Sequence, residues 1–396
     1  FQSQILSSDN QSENIENKFL LAQLQDYAIR EETIGFMEIL LNELEQLEKS
    51  EIIDKFQNHL LELNKTIPIS EELKDVGLLD ITPKEDSFVM NPSGLNPEYD
   101  AINGGFALQE LVGIGGRRGS GKSILALNCA LSRYLQGITG HEEEEDTNGH
   151  TVPFFSIEMR YLEVYYRMLS IISKVPFLRF LKNELTHSDK IKVATAKVKT
   201  FYKYAEQKDL FTKWLTELQK DGNLLAFDNK IKIHKPILRN SRFFIVDEPA
   251  LTPNRLDHLC NVFYNKYPKF TMAVVDYLNI IRVPDSKEWK TQIQLAENLK
   301  GYARKYNITL LSPYQVDSTL EARYAKGILD AFDRAFTFAP ADPDDKENEN
   351  RLTLYTAKIR NGKNTTFSVG MDWECVSIDN TLISTKNINS KLLPGS

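Results

Sequence analysis

The stretch Gly116-Arg117-Arg118-Gly119-Ser120-Gly121-Lys122-Ser123 meets every fixed position of the phosphate-loop pattern G-x-x-x-x-G-K-[ST]. Its flanks agree. Leu111-Val112-Gly113-Ile114 reads as a short apolar strand, and Ile124-Leu125-Ala126-Leu127-Asn128-Cys129-Ala130 reads as a buried helix. That is the strand–loop–helix order the motif needs. Glycines let backbone N–H groups turn inward around phosphate oxygens, and the helix N-terminus adds the positive end of its dipole. Gly116, Arg117, Arg118, Gly119, Ser120, Gly121, Lys122, Ser123 and Ile124 are therefore expected to cradle ATP. Lys122 is expected to reach the β- and γ-phosphates and Ser123 to ligate Mg²⁺.

Outward from the loop, apolar runs and helical patterns alternate, which predicts an α/β fold with a mostly parallel sheet. Pro153-Phe154-Phe155-Ser156-Ile157 is a strand that ends on Glu158. We read it as the neighbour of the phosphate-loop strand. From there Glu158 either polarises an attacking water or supports the dipole of the helix that follows, and spacing does not choose. Phe243–Asp247 and Phe270–Asp276 both end on aspartate, the form in which a buried strand delivers a carboxylate to Mg²⁺. Asp276 is preferred because its strand is the purer apolar run; Asp247 is the reserve. The strand Ile308–Gln315 ends on an amide, and Gln315 either senses the γ-phosphate or makes a loop hydrogen bond. Arg351–Lys358 and Thr365–Met371 alternate as late antiparallel strands joined by an Asn-Gly hairpin turn, Arg360-Asn361-Gly362-Lys363-Asn364.

Composition limits the alternatives. The 396 residues are 41% apolar and 26% charged, with a net charge of −7, which argues against a chain coated in nucleic acid but allows a small basic channel. No apolar run is long enough to cross a membrane. Cys129, Cys260 and Cys375 lie scattered in apolar stretches and read as reduced core residues of a cytoplasmic protein. The acidic run 142–146 reads as a solvated loop, and its flanking His141 and His150 match no standard metal site. Residues 1–16 read as a disordered tail, 17–67 as two or three docking or linker helices, and 68–92 as a linker. The ATPase domain is expected over 93–386, with a short tail at 387–396. The opening Phe1 in place of Met reads as a processed or truncated start.

The ordered pieces between Gly94 and Asp379 resemble the ATPase domain of DnaB-type replicative helicases, ring-forming members of the RecA-like superfamily. Ser93-Gly94-Leu95 and Ile102-Asn103-Gly104-Gly105 resemble the family's lead-in. Phe155-Ser156-Ile157-Glu158-Met159 resembles its water-activating motif, and Val246–Thr252 its "DDTP" segment. Val275-Asp276-Tyr277-Leu278-Asn279 is similar to its metal-carboxylate strand, Tyr314-Gln315-Val316-Asp317 to its "SQLNR" motif, and Ala357–Gly362 to its "KQRNG" segment. The resemblance implies a RecA-like core with a small α-helical N-terminal region. It makes Arg360 a finger for the ATP site of the next subunit, with Lys358 beside it, where residue type alone gives an exposed hairpin charge. It implies a homo-hexamer that moves on single-stranded DNA and parts forked duplex DNA, in company with a primase or helicase loader. Strand contacts then fall to Arg282, Lys287 and Lys290 in one loop and to Arg323, Lys326 and Gly327 in another. Two other readings share the core elements. One is a RecA- or RadA-like recombinase filament; the other is an ATP-gated loader or adaptor that needs no finger. The departures from "SQLNR" mark a divergent member.

Overall fold

The computed structural model describes residues 30–43, 49–66, 90–136, 149–267, 269–276, 288–317, 327–339 and 349–383. It divides into two units, Phe1–Pro83 and Lys84–Ser396. The first holds helices α1 (30–43) and α2 (Lys49–Thr66). Phe36 of α1 stacks on His59 of α2 with ring centroids 3.9 Å apart and meets Phe56 edge-on at 5.3 Å. Glu43 and Lys55 form an ion pair between the same helices. Ile34, Ile39, Leu41 and Ile53 stay exposed.

The second unit opens with β1 (Met90–Asn91), inside the stretch expected as linker, which pairs with β2 (Phe106–Ala107) across α3 (Pro97–Asn103). The sequence dictates α3 at both ends. The Asn96 side chain accepts the Glu98 and Tyr99 N–H groups, Pro97 sits in the first turn, and Gly104 ends the helix at φ 74°. Then follow β3 (Leu111–Gly116), α4 (Lys122–Leu135), β4 (Thr151–Ser156) and α5 (Tyr161–Ser173). A helical block comes next: α6 (Phe177–Leu181), α7 (His187–Phe201), α8 (Lys208–Asp221) and α9 (Leu224–His234). The chain returns through β5 (Arg242–Asp247), α10 (Pro253–Lys266), β6 (Met272–Asp276), α11 (Glu288–Lys305), β7 (Thr309–Gln315) and α12 (Ile328–Ala331). It closes with β8 (Arg334–Ala339), β9 (Arg351–Ile359), β10 (Thr366–Asp372) and β11 (Ser377–Ile378).

Nine of these strands form one sheet, ordered β11-β10-β9-β8-β3-β7-β6-β4-β5. From β8 to β5 all neighbours are parallel, and β9, β10 and β11 extend the β8 edge antiparallel. Strands β3, β4 and β6 are buried along their whole length, as central strands with helices on both faces must be. Val112 and Ile114 face a core shared with Leu125, Ala126 and Leu131 of α4. Leu111 and Leu310 face the opposite core, with Leu256 of α10 and Leu295 and Leu299 of α11. Gly113 and Gly115 leave room on that face. A Cβ on Gly115 would run into the Tyr314 ring, and one on Gly113 would lie 2.8 Å from Phe332. Helices α7 to α9 build a small core of their own from Val198, Phe211, Trp214 and Phe227.

Two expectations need correcting. The strand carrying Glu158 is not the neighbour of the phosphate-loop strand, because β7 and β6 lie between β3 and β4. Those two later runs are buried almost throughout and take the middle of the sheet, where both faces are covered. Nor does the Asn-Gly pair close a tight hairpin. The β9–β10 pairing ends at Thr356 and Thr365, with residues 357–364 between them, while β9 stays paired with β8 on its other side as far as Ile359.

At the end of α10 and α11, Asp257 is buried and accepts hydrogen bonds from the Tyr306 hydroxyl at 2.7 Å and the Lys305 ammonium at 2.9 Å. Removing the hydroxyl leaves a buried carboxylate short of a donor, at a cost of about 1–3 kcal/mol. Tyr306→Phe is therefore expected to lower the unfolding free energy by about that amount, read from the denaturant midpoint at unchanged slope.

Candidate nucleotide site

The carboxyl ends of the parallel strands meet around the loop between β3 and α4. Gly119 and Gly121 hold φ at 75° and 99°, a conformation that other residues rarely adopt. A Cβ on Gly116 would lie 2.6 Å from Ser120 Oγ and close the loop upon itself. The Arg117 carbonyl gathers the loop, accepting from Ser120 Oγ at 2.6 Å and from Lys122 Nζ at 2.8 Å. Arg117 and Arg118 are exposed at its rim. Burial lowers the Lys122 ammonium below the usual lysine range, while the nearby carboxylates of Asp276 and Glu158 pull it back up.

Asp276 ends β6 and is fully buried. Its Oδ1 accepts from Ser123 Oγ at 2.9 Å, and its Oδ2 is buried with no hydrogen-bond partner among the described residues. Burial pushes this carboxyl up to about 6; the Ser123 bond lowers it and Glu158 raises it. A half-satisfied carboxylate beside a hydroxyl suits a hard cation that takes few protein ligands and keeps its remaining sites for water and phosphate. Mg²⁺ fits this donor pair, with Asp276 Oδ2 as the atom left over for the ion's hydration shell. Among the described residues no cluster of three or more His, Cys, Asp or Glu side chains offers another metal site. His150 instead hydrogen-bonds Thr271 Oγ1 at 2.8 Å; His141 lies outside the described residues.

Glu158 lies just past β4, exposed, at a turn fixed by a 2.6 Å bond from Ser156 Oγ to the Met159 carbonyl. Another carboxylate also stands at the N-terminus of the helix after Glu158. Asp247, at the end of β5, accepts the Tyr161 N–H of α5 at 3.0 Å. That bond also accounts for the reserve aspartate, which stands at the sheet edge and away from the loop. Gln315 ends β7 directly opposite Gly116.

Lys122, Ser123, Glu158 and Gln315 line one cavity of about 610 Å³. Three further lining residues were not read from sequence: Glu163, Arg167 and Trp373. The first two show a sequence signal, an i,i+4 acid–base pair, seen here as a 2.7 Å ion pair with the guanidinium 4.9 Å over the Phe177 ring. Trp373 has no local signal. The β10–β11 turn brings its ring within 3.4 Å of where a Gly121 Cβ would stand, and a 3.1 Å bond from Nε1 to the Glu349 carbonyl orients it.

Lys358 and Arg360 are not at this cavity. The register puts Ile359 opposite Arg334, and Arg334 opposite Val112, so both cations sit at the edge of the sheet opposite the phosphate loop. Lys358 Nζ donates to the Leu329 and Asp330 carbonyls at 2.7 Å, and burial and Arg360 lower its ammonium. The Arg360 side chain is 50% exposed, 3.5 Å from Asp333 Oδ1. Of the expected strand-contact residues, Arg282, Lys287, Arg323 and Lys326 lie outside the described residues, as does the side chain of Lys290. Gly327 caps α12 and packs on Ile293, where a Cβ would come to 2.8 Å.

Comparison with known proteins agrees with this fold. The chain is 24% identical over 235 residues to the replicative DNA helicase DnaB of Mycoplasma pneumoniae, covering 58% of this chain and 40% of that protein. It is 25% identical over 324 residues to the replicative DNA helicase DnaB of Rickettsia felis, covering 76% and 56%. The chain thus spans about half the length of these curated relatives. Its fold is that of a DnaB-like replicative helicase solved with a view to its interactions with primase, with a TM-score of 0.62 at 17% identity over 89% of this chain and 75% of that one. Residues 92–327 match the family model of the DnaB-like helicase C terminal domain, and the chain belongs to that family.

Proposed function

We propose that this chain is the ATP-driven motor of a replicative DNA helicase, which moves along single-stranded DNA as a homo-hexameric ring and parts forked duplex. One observation carries the reading. Lys122, Ser123, Glu158 and Gln315 line one cavity, with the buried Asp276 bonded to Ser123, whereas the cations Lys358 and Arg360 lie at the far edge of the same sheet. A triphosphate held by one copy is therefore completed by the edge of a second copy. The family match favours this over the recombinase and adaptor alternatives.

Each residue then has a task. Backbone N–H groups of 116–124 and Lys122 bind the phosphates. Ser123 and Asp276 hold Mg²⁺, whose charge offsets that of the β- and γ-phosphates. Glu158 orients the attacking water and takes its proton, Gln315 reports whether the γ-phosphate is present, and Arg360 with Lys358 offsets charge on the phosphoryl group from across the interface. The exposed apolar residues of α1 and α2 give these helices a face for docking on a neighbouring copy. The segment carrying Arg282 and Lys287, with Lys290 in the first turn of α11, and the segment carrying Arg323, Lys326 and Gly327 track the strand's phosphates. A primase or loader is the partner class, as primase is for the related helicase.

Lys122→Ala should cut ATP turnover on the order of 100-fold or more. Arg360→Ala should cut DNA-stimulated turnover on the order of a thousandfold while ATP still binds. Wild-type turnover in either variant contradicts the assignment. Affinity for single strands should fall linearly in log–log terms as salt rises, and a flat response removes the channel loops. The raised Asp276 pKa sets a further test. A carboxyl with a folded pKa of about 6, raised from 3.8, costs stability progressively as pH rises from the unfolded value through 6, and the loss is complete above that. Without Mg²⁺ or nucleotide, Asp276→Asn should be the more stable protein at pH 7.5, with a gap that narrows by about 1–2 kcal/mol at pH 5. Equal stability of the two proteins at pH 7.5 contradicts the strained carboxylate.

A further inference from the structure

The backbone that carries Arg360 has little support from its own hairpin. Pairing between β9 and β10 ends at Thr356 and Thr365, where the Thr356 N–H donates to the Thr365 carbonyl at 3.2 Å. Beyond it, the residues around Arg360 are held from outside by two buried side chains distant in sequence. Asn103, the last residue of α3, donates from Nδ2 to Thr365 Oγ1 at 3.3 Å and accepts the Lys363 N–H on Oδ1 at 2.8 Å. Arg334, the first residue of β8, is fully buried and donates from Nη2 to the Asn361 carbonyl at 3.2 Å. It also ties the two anchors together, donating from Nη1 to the Asn103 carbonyl at 3.2 Å, and from Nε to Glu110 at 2.8 Å. The contact leaves room for no side chain at the turn. A Cβ on Gly362 would lie 2.5 Å from Asn103 Oδ1.

The contrast within this segment is informative. Main-chain or side-chain atoms of Asn361, Lys363 and Thr365 are bonded to buried anchors, and the Arg360 N–H donates to the Asp333 carbonyl at 2.9 Å. The Arg360 guanidinium is half exposed, with one 3.2 Å bond to the Asp330 carbonyl and the 3.5 Å approach to Asp333. The backbone is fixed and the charged tip can leave. A cation that acts on a phosphoryl group across an interface needs this combination, because a misplacement of about 1 Å costs on the order of 100-fold in rate.

We propose that Asn103, supported by Arg334, is a positioning residue for catalysis in the adjoining copy: it sets the path of 360–365 so that the Arg360 guanidinium meets the neighbour's triphosphate. This rests on the shared-site reading given above. Asn103 touches no substrate, so its loss should lower the rate without weakening nucleotide binding.

The test is a kinetic cycle on the full chain with single-stranded DNA. Asn103→Leu keeps the side chain's bulk and removes both bonds; kcat should fall roughly ten- to a hundredfold, with KM for ATP, affinity for a fluorescent ADP and ring assembly unchanged. Asn103→Asp accepts from the Lys363 N–H and from the Thr365 hydroxyl, and should recover most of the loss. If Asn103 works through Arg360, the double variant Asn103→Leu, Arg360→Ala should turn over no more slowly than Arg360→Ala alone. Three results overturn the proposal while leaving the shared site standing: wild-type kcat in Asn103→Leu, loss of ADP affinity in that variant, or a double variant slower than Arg360→Ala by the full Asn103→Leu factor. Wild-type turnover in Arg360→Ala removes the shared-site reading, and the positioning role with it.

Discussion

Asp276 keeps one carboxylate oxygen on the Ser123 hydroxyl and buries the other without a partner among the described residues. An apolar core does not retain such a group for stability, because an unsatisfied buried oxygen costs free energy that a neutral residue avoids. It is kept where a ligand supplies the missing contact. The rest of the fold serves that point. Strand β6 is buried on both faces, so its last residue can be delivered to the sheet edge only at a fixed height and angle. The loop after β3 brings Ser123 to meet it, and the two strands that flank β6 lead to the residues, Glu158 and Gln315, that face the same space.

The sheet has two working edges. At one, strand ends and the phosphate loop surround a cavity lined by two acids, one amide, a lysine and two arginines. At the other, β9 turns back along β8 and carries Lys358 and Arg360 away from it. A nine-stranded sheet separates the two, so the shared site proposed above would join their chemistry between copies. Rigidity also gives such an arrangement a means of coupling. In the proposed ring, a change at one site would be passed through the sheet to the cations offered to the next.

Much of this was legible in the sequence, for identifiable reasons. The phosphate loop is local, since its glycines, lysine and serine act within eight residues, and their spacing holds the geometry. Asp276 was separable from Asp247 by the purity of its strand, and the structure gives the reason: β6 is central, whereas β5 is the edge and Asp247 is spent on the α5 N–H of Tyr161. Strand order was not legible. Nothing near Pro153–Ile157 states that two later strands will insert between it and β3. Trp373, Asn103 and Arg334 were hidden for the same reason, because each acts on residues tens to hundreds of positions away and shows no periodicity. The Asn-Gly pair misled in a different way. Its turn propensity is real, but buried anchors outside the hairpin hold the chain open there.

The shared site can be tested by mixing two inactive proteins. A chain with Lys122→Ala keeps its far edge, and a chain with Arg360→Ala keeps its phosphate loop. Assembled together on single-stranded DNA, they create interfaces in which an intact loop meets an intact cation, and ATP turnover should rise well above that of either protein alone. Turnover that stays at the level of the separate variants, in mixed assemblies shown to contain both chains, would contradict a triphosphate site completed by a second copy.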